Sequence, residues 1–190
     1  MSAPIRFFGE GKADKRFLED FVKHHFGISK IDYINVNGKD SIELVTPQFK
    51  INTEQGGVNL LIFDADNDYQ AALDNVNKQK ATCGIEFETF LFPNNADTGA
   101  LEELLLQMTV PEHQGIFDCF KPFNECLLGH NPDYNVPDLK IQIYSYLTFQ
   151  YLEGKDPVRD YTLPCWNLDA DYAQPLKEFI AQYLQPKNQS

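Results

Sequence analysis

No two cysteines in this chain form a Cys-x-x-Cys pair, and no apolar run approaches the length of a bilayer-spanning helix. The N-terminus MSAPIRFFGEGKAD lacks the apolar stretch of a secretory signal, so a cytoplasmic protein with no membrane anchor is expected. In that setting Cys83, Cys119, Cys126 and Cys165 read as buried reduced thiols rather than disulfides. His113, Cys119, Cys126 and His130 share one stretch, but the six residues between the two cysteines fit no common zinc spacing, and the stretch reads as helix. Positive charge is also scarce. Sixteen Lys and Arg stand against 28 Asp and Glu, a net charge of −12. Nucleic-acid binding rests on cations that neutralise phosphates, so the balance argues against a general nucleic-acid binder. Work on DNA or RNA would need a local basic strip, bound metal cations or a more basic partner.

A phosphate-cradling P-loop is missing too. The stretch FFGEGKADKRF contains Gly11-Lys12, yet Arg6 stands where the first glycine belongs and Ala13 replaces the hydroxyl after the lysine. There are no internal repeats and no low-complexity tract. What the 190 residues do have is 43 % hydrophobic and 13 % aromatic content, enough for a folded core in one domain, or one domain with an extension.

The first half alternates strand and helix patterns. Pro4 to Phe8 reads as a short strand, followed by a turn at Gly9-Glu10-Gly11 and a helix from about Lys12 to Phe26, with Phe17, Leu18, Phe21, Val22 and His25 on one face. Ile31 to Val36 alternates as a strand ending at Asn37-Gly38. Lys39 to Gln55 reads as broken helix around Pro47. The run VNLLIF, Val58 to Phe63, suits a central strand covered on both faces. An acidic turn, DADND, leads into a polar helix from about Tyr69 to Lys80. Glu88 to Phe92 is a fourth strand, and Leu101, Leu104, Leu105 and Met108 mark an amphipathic helix that Thr98 or Asp97 would cap. The order β-α-β-α-β-α-β-α predicts an α/β fold, a parallel four-stranded sheet sandwiched by helices. Beyond Pro111, helices are expected over Gly115 to Leu128, Asp138 to Leu152 and Tyr172 to Leu184. Residues 1–110 are then expected to form the α/β unit and 111–190 a helical extension packed on it, the two making one compact unit.

Ligands of such sheets bind beyond the carboxyl ends of the strands, and acids collect there. Glu10 ends the first strand, Asp64 and Asp66 the third, Asp14 lies one turn into the first helix, and Glu102 or Glu103 begins the helix after the fourth strand. In extended chain Asp64 and Asp66 would point the same way, with Glu10 facing them. Carboxylates so close need a cation or a raised pKa, and hard oxygen ligands suit Mg²⁺ or Mn²⁺, one ion or two. An acidic turn is also a common solvated loop or cap. An EF-hand fails because Tyr69 stands at the sharp-turn glycine and Asn75 at the bidentate glutamate. An aspartate-nucleophile phosphatase would want Thr or Val where Asp68 stands.

A strand ending in Glu-Gly and a later strand ending in Asp-x-Asp together resemble the Toprim domain of topoisomerases, primases and overcoming-lysogenisation-defect nucleases. EGKADKRFLEDF, LLIFDADND and FLFPNNADTGALEELLLQM, spanning roughly residues 5 to 108, are most similar to a small bacterial family of stand-alone Toprim-like proteins of unknown function. The resemblance implies a Toprim-like, Rossmann-like fold with Glu10 as general acid/base or metal ligand and Asp64 and Asp66 as metal ligands. Asp14 and Glu102 would be further metal-ligating acids. Gly9 stands where a β-branched residue is usual, and Lys140 is the candidate for a C-terminal lysine that some of these nucleases use. The expectation is a Mg²⁺- or Mn²⁺-dependent phosphodiester-cleaving enzyme acting on nucleic acid. The alternative is a catalytically silent metal- or nucleotide-binding regulatory module working with a partner such as an ATPase.

Overall fold

Four strands, each short and rich in aromatic and branched residues, pair in parallel in the computed structural model, which describes residues 4–150 and 160–184. They are β1 (Ile5–Gly9), β2 (Asp32–Asn35), β3 (Val58–Asp64) and β4 (Glu88–Phe92), in the order β2-β1-β3-β4. Between and after them come α1 (Lys12–Phe26), α2 (Thr46–Glu54), α3 (Tyr69–Cys83) and α4 (Leu101–Met108), then α5 (Phe120–His130), α6 (Leu139–Gln150) and α7 (Gln174–Leu184). This is the α/β architecture expected from the sequence pattern. The strand limits differ from the expected ones by a residue or so at their ends.

Alternation along the central strands builds two cores. Phe7, Leu60, Ile62, Phe90 and Phe92 face one side, where they pack with α1, α4, α6 and α7. Phe8, Leu61, Phe63 and Leu91 face the other, against α2, α3 and the 3₁₀ turn Ile42–Val45. Both faces of β3 are thus buried, which is why Leu60 to Phe63 form a continuous apolar run. The chain past residue 110 shares the first core: Ile143, Tyr146, Tyr161, Trp166, Leu176 and Ile180 belong to the same buried cluster as Phe7 and Leu60.

Two expectations change, and a third falls outside the described residues. The predicted helix from Gly115 begins instead as a 3₁₀ stretch, Pro111–Cys119, with α5 following. The expected end of α6 at Leu152 lies outside the described residues, as does the PKNQS tail. The cysteines are free, but only Cys165 is buried; Cys119 and Cys126 are exposed and Cys83 is half-buried. Neither the 3₁₀ stretch that ends at Cys119 nor α5, which carries Cys126, buries any of its residues, so their apolar positions do not draw the thiols inward.

One buried polar cluster pins the sheet at the end away from the acids. Asn59, 2 % exposed on β3, donates through Nδ2 to the carbonyls of Phe49 and Glu86 and to Thr53 Oγ1, and its Oδ1 accepts from Asn52 Nδ2. Polar groups left unpaired in a core cost about 1–3 kcal/mol each. Asn59→Leu is therefore expected to destabilise the fold by about 2 kcal/mol or more, read as a lower urea midpoint. An unchanged midpoint would remove this cluster from the account of what ties α2 to the sheet.

Candidate functional site at the β1–β3 switch point

The chain leaves β1 for β2 on one side and returns through α2 to β3 on the other, so the crevice between β1 and β3 is the topological switch point. Their register pairs Phe8 with Leu61 and Gly9 with Ile62. Glu10 and Asp64 therefore emerge beside each other, and Glu10 Oε1 accepts a hydrogen bond from the Asp64 amide at 3.1 Å.

Each acid is held by main-chain donors. Asp14 Oδ2 accepts from the amides of Glu10 (3.0 Å) and Gly11 (2.8 Å), closing the first turn of α1. Asp64 Oδ1 accepts from the Leu101 amide at 3.0 Å, at the N-terminus of α4. Of the paired glutamates there, Glu103 is the capping one: its Oε2 accepts from Ala100 N at 2.7 Å. Glu102 instead contributes negative charge to the surroundings of both Asp14 and Asp64. The cap of α4 is Ala100, not Thr98 or Asp97, because the Glu103 side chain supplies the capping acceptor.

Asp66 departs from the extended geometry expected of it. Its φ is 53°, in the left-handed region that Asp tolerates better than most residues. Its N–H and C=O both pair with Gly99, at 2.8 and 2.7 Å, tying the loop after β3 to the approach to α4. The exposed carboxylate pairs with the Lys39 ammonium, so Asp64 and Asp66 turn to different partners. Gly99 has a φ of 132° and a Cβ there would lie 2.9 Å from Glu103 Cγ, so glycine is required twice over. Asn94 and Asn95 shape the same loop: Asn94 Oδ1 accepts from the amides of Ala96 and Asp97, and Asn95 Oδ1 from Leu91 N. The PNN and GxLE stretches thus bring the start of α4 up to β3.

Charge of one sign dominates. Burial, then the charges of Asp14 and Glu10, push the Asp64 carboxyl up to about 8. Glu10 is raised chiefly by desolvation, then by Asp14 and Asp66 against the lowering effect of the Asp64 amide; Asp14 is raised by burial and Glu102. Lys39 is the cation acting on Glu10. Its loop is fixed by Gln79 Nε2 donating to the Lys39 carbonyl at 2.7 Å. Lys140 lies exposed at the start of α6 and is not among the leading charges on Glu10, Asp14 or Asp64.

Tyr33 completes the site and could not be singled out from the sequence. Its hydroxyl donates to the Gly11 carbonyl at 2.8 Å, and the nearby carboxylates add to burial in raising its pKa. A Cβ on Gly9 would lie 2.3 Å from that hydroxyl, which explains glycine at this strand end.

The five acids line one edge, but they are not a closed ligand cage. Among the described residues the group of three metal-binding side chains whose ligand atoms all lie within 4.8 Å of one another is His24, His25 and Asp169, none of them at this edge. His113, Cys119, Cys126 and His130 do not form such a group either; His113 Nδ1 lies 2.9 Å from the Tyr146 hydroxyl.

Fold and side chains together define an α/β protein with an acidic site at the switch point of a parallel sheet. A family model described as "Protein of unknown function (DUF3226)" matches residues 6–185, and the chain belongs to that family. No curated protein and no solved structure matches it. No described helix is long and apolar enough to cross a membrane.

Two outcomes test this geometry. Gly9→Ala should displace Tyr33 and destabilise the protein by about 1–3 kcal/mol, the range for overpacking, with Tyr33→Ala in the same chain relieving much of it. Unequal proton binding gives the second. The folded state keeps a proton on Asp64 that the unfolded chain, with the ordinary value of 3.8, releases. The raised pKa therefore stabilises the metal-free fold at low pH, and that contribution is lost as pH rises through the window up to about 8. Thermal melts in chelator should fall across this window, and Asp64→Asn should flatten the slope. An equal slope in the variant would contradict the assignment.

Proposed function

We propose that this protein is a Toprim-type, divalent-metal-dependent phosphodiester-cleaving enzyme acting on nucleic acid. The observation that carries the reading is the gathering of Glu10, Asp14, Asp64 and Glu102 in a half-buried crevice at the switch point, where burial and neighbouring charge raise the pKa of Glu10, Asp14 and Asp64. Such a set of hard oxygen donors fits Mg²⁺ or Mn²⁺. Glu10, Asp64 and Asp66 would hold one ion, and Asp14 and Glu102 a second. Because the carboxylates are not within direct chelating distance as a group, some contacts would run through water, which Mg²⁺ retains readily. A bound divalent ion supplies charge neutralisation for a phosphodiester and acidifies a bound water.

The chain's own groups supply the rest. Glu10, its Oε1 steadied by the Asp64 amide, is the group to take up or give a proton, since its raised pKa brings it nearer neutrality. Main-chain donors hold Asp14 and Asp64 in place. Lys39 is better placed than Lys140 to meet a phosphate, because it already pairs with Asp66 at the rim.

A second reading, a catalytically silent metal- or nucleotide-binding regulatory module working with a partner such as an ATPase, draws on two observations. The chain carries −12 net charge, and Asp14 already supplies the side-chain acceptor that caps the start of α1. One experiment separates the two. Supercoiled plasmid and single-stranded DNA and RNA are incubated with the protein in Mg²⁺, Mn²⁺ or chelator. Divalent-dependent cleavage, reduced more than about 100-fold by Asp64→Asn/Asp66→Asn, is expected; even outer-shell partners of a metal are worth up to that factor. No cleavage with either ion, together with a Mg²⁺-induced rise in melting temperature that the double variant loses, selects the regulatory module. Cleavage undiminished in the double variant would sink the site assignment.

A further inference from the structure

A second cluster lies at the other end of α1, ten residues and about 15 Å of helix from Asp14. There His24 Nε2 stands 3.0 Å from Asp169 Oδ2, and His25 Nδ1 stands 3.7 Å from Asp169 Oδ1. His25 Nε2 lies 3.0 Å from the Leu168 carbonyl oxygen. That last contact settles the tautomer. A carbonyl oxygen only accepts, so Nε2 of His25 carries the hydrogen, and in the neutral ring the lone pair sits on Nδ1.

The lone pair then has a carboxylate oxygen as its neighbour, two acceptors with no hydrogen between them. The side chain of His25 is only 3 % exposed while that of Asp169 is 64 % exposed, so the space between them opens to solvent on the carboxylate side. Positive charge between the two acceptors resolves the arrangement, either a second proton on the ring or a metal ion. The neutral ring is the form that ligates metal. An imidazole that donates its other N–H to a backbone carbonyl is also the usual second partner of a metal-bound histidine.

We propose that His24, His25 and Asp169 form a binding site for a borderline first-row divalent cation, Zn²⁺ or a chemically similar ion, that clamps the segment 160–169 onto the end of α1. Two imidazoles and one carboxylate suit Zn²⁺ and are poor partners for Mg²⁺. Three protein ligands leave a fourth position for water or a small ligand. His24 and Asp169 also line a cavity of about 370 Å³ with Asp20, Lys23, Tyr161 and Trp166, so an ion held here borders a space of small-ligand size. The site shares no residue with the acidic rim and stands or falls without it.

The test uses the full chain, stripped with chelator and titrated with Zn²⁺, followed by melting temperature and by the visible absorption of Co²⁺ as a surrogate. About one equivalent is expected to raise the melting temperature, and Co²⁺ to give the strong d–d absorption of a four-coordinate ion. His24→Gln and Asp169→Asn change exposed side chains, so they keep the fold, and each should weaken binding more than tenfold. Cys119→Ser/Cys126→Ser should bind as the parent does, and the four-coordinate Co²⁺ absorption should persist in Asp64→Asn/Asp66→Asn, which separates this site from the exposed thiols and from the acidic rim. Absence of binding, equal binding by His24→Gln and Asp169→Asn, or binding lost in the thiol variant would each overturn the proposal.

Discussion

Negative charge crowded between two parallel strands is the constraint around which this molecule is arranged. The β1–β3 register forces Glu10 and Asp64 together, and the starts of α1 and α4 bring Asp14 and Glu102 to the same place. Repulsion among such groups is tolerable only where donors surround them. Helix N-termini provide those donors: the amides of Glu10 and Gly11 meet Asp14, and that of Leu101 meets Asp64. The close fit of Tyr33 over Gly9 and the Asp66–Gly99 pairing hold the two loops that carry these ends.

The fold was legible because its strands obey the simplest pattern. VNLLIF is apolar but for Asn59 because both of its faces are covered, and the helical period of α1 placed Phe17, Leu18, Phe21 and Val22 inward. The acids at strand ends were legible for the same reason, since a parallel sheet presents its strand ends to ligands. What escaped reading was anything set by contacts distant in sequence. Tyr33 and Lys39 reach the site from the β2 side. The turn of Asp66 depends on Gly99, which no local spacing reveals. The doubt between Glu102 and Glu103 dissolves only once the Ala100 amide claims Glu103. His24, His25 and Asp169 lie 145 residues apart at their extremes, beyond the reach of any motif.

Helix α1 links two chemically unlike ends. Its N-terminus, with the positive end of the helix dipole, receives a carboxylate, and its C-terminus carries Lys23, His24 and His25 beside Asp169. Oxygen donors gather at one end and nitrogen donors at the other. The same helix buries its apolar face in the core shared with α4, α6 and α7, so both ends are positioned by one rigid, well-packed element.

The hydrogen bonds that frame the acidic crevice also set when it can come into being. Glu10 and Asp64 are 54 residues apart, and Asp64 and the Leu101 amide another 37. Such separations are slow to close, because chain entropy is lost before contact is gained. On an emerging polypeptide the crevice therefore has no frame until the chain has passed Leu101. Up to that moment its acids are ordinary solvated side chains, and their shifted protonation arises only in the final assembly of the sheet with α4.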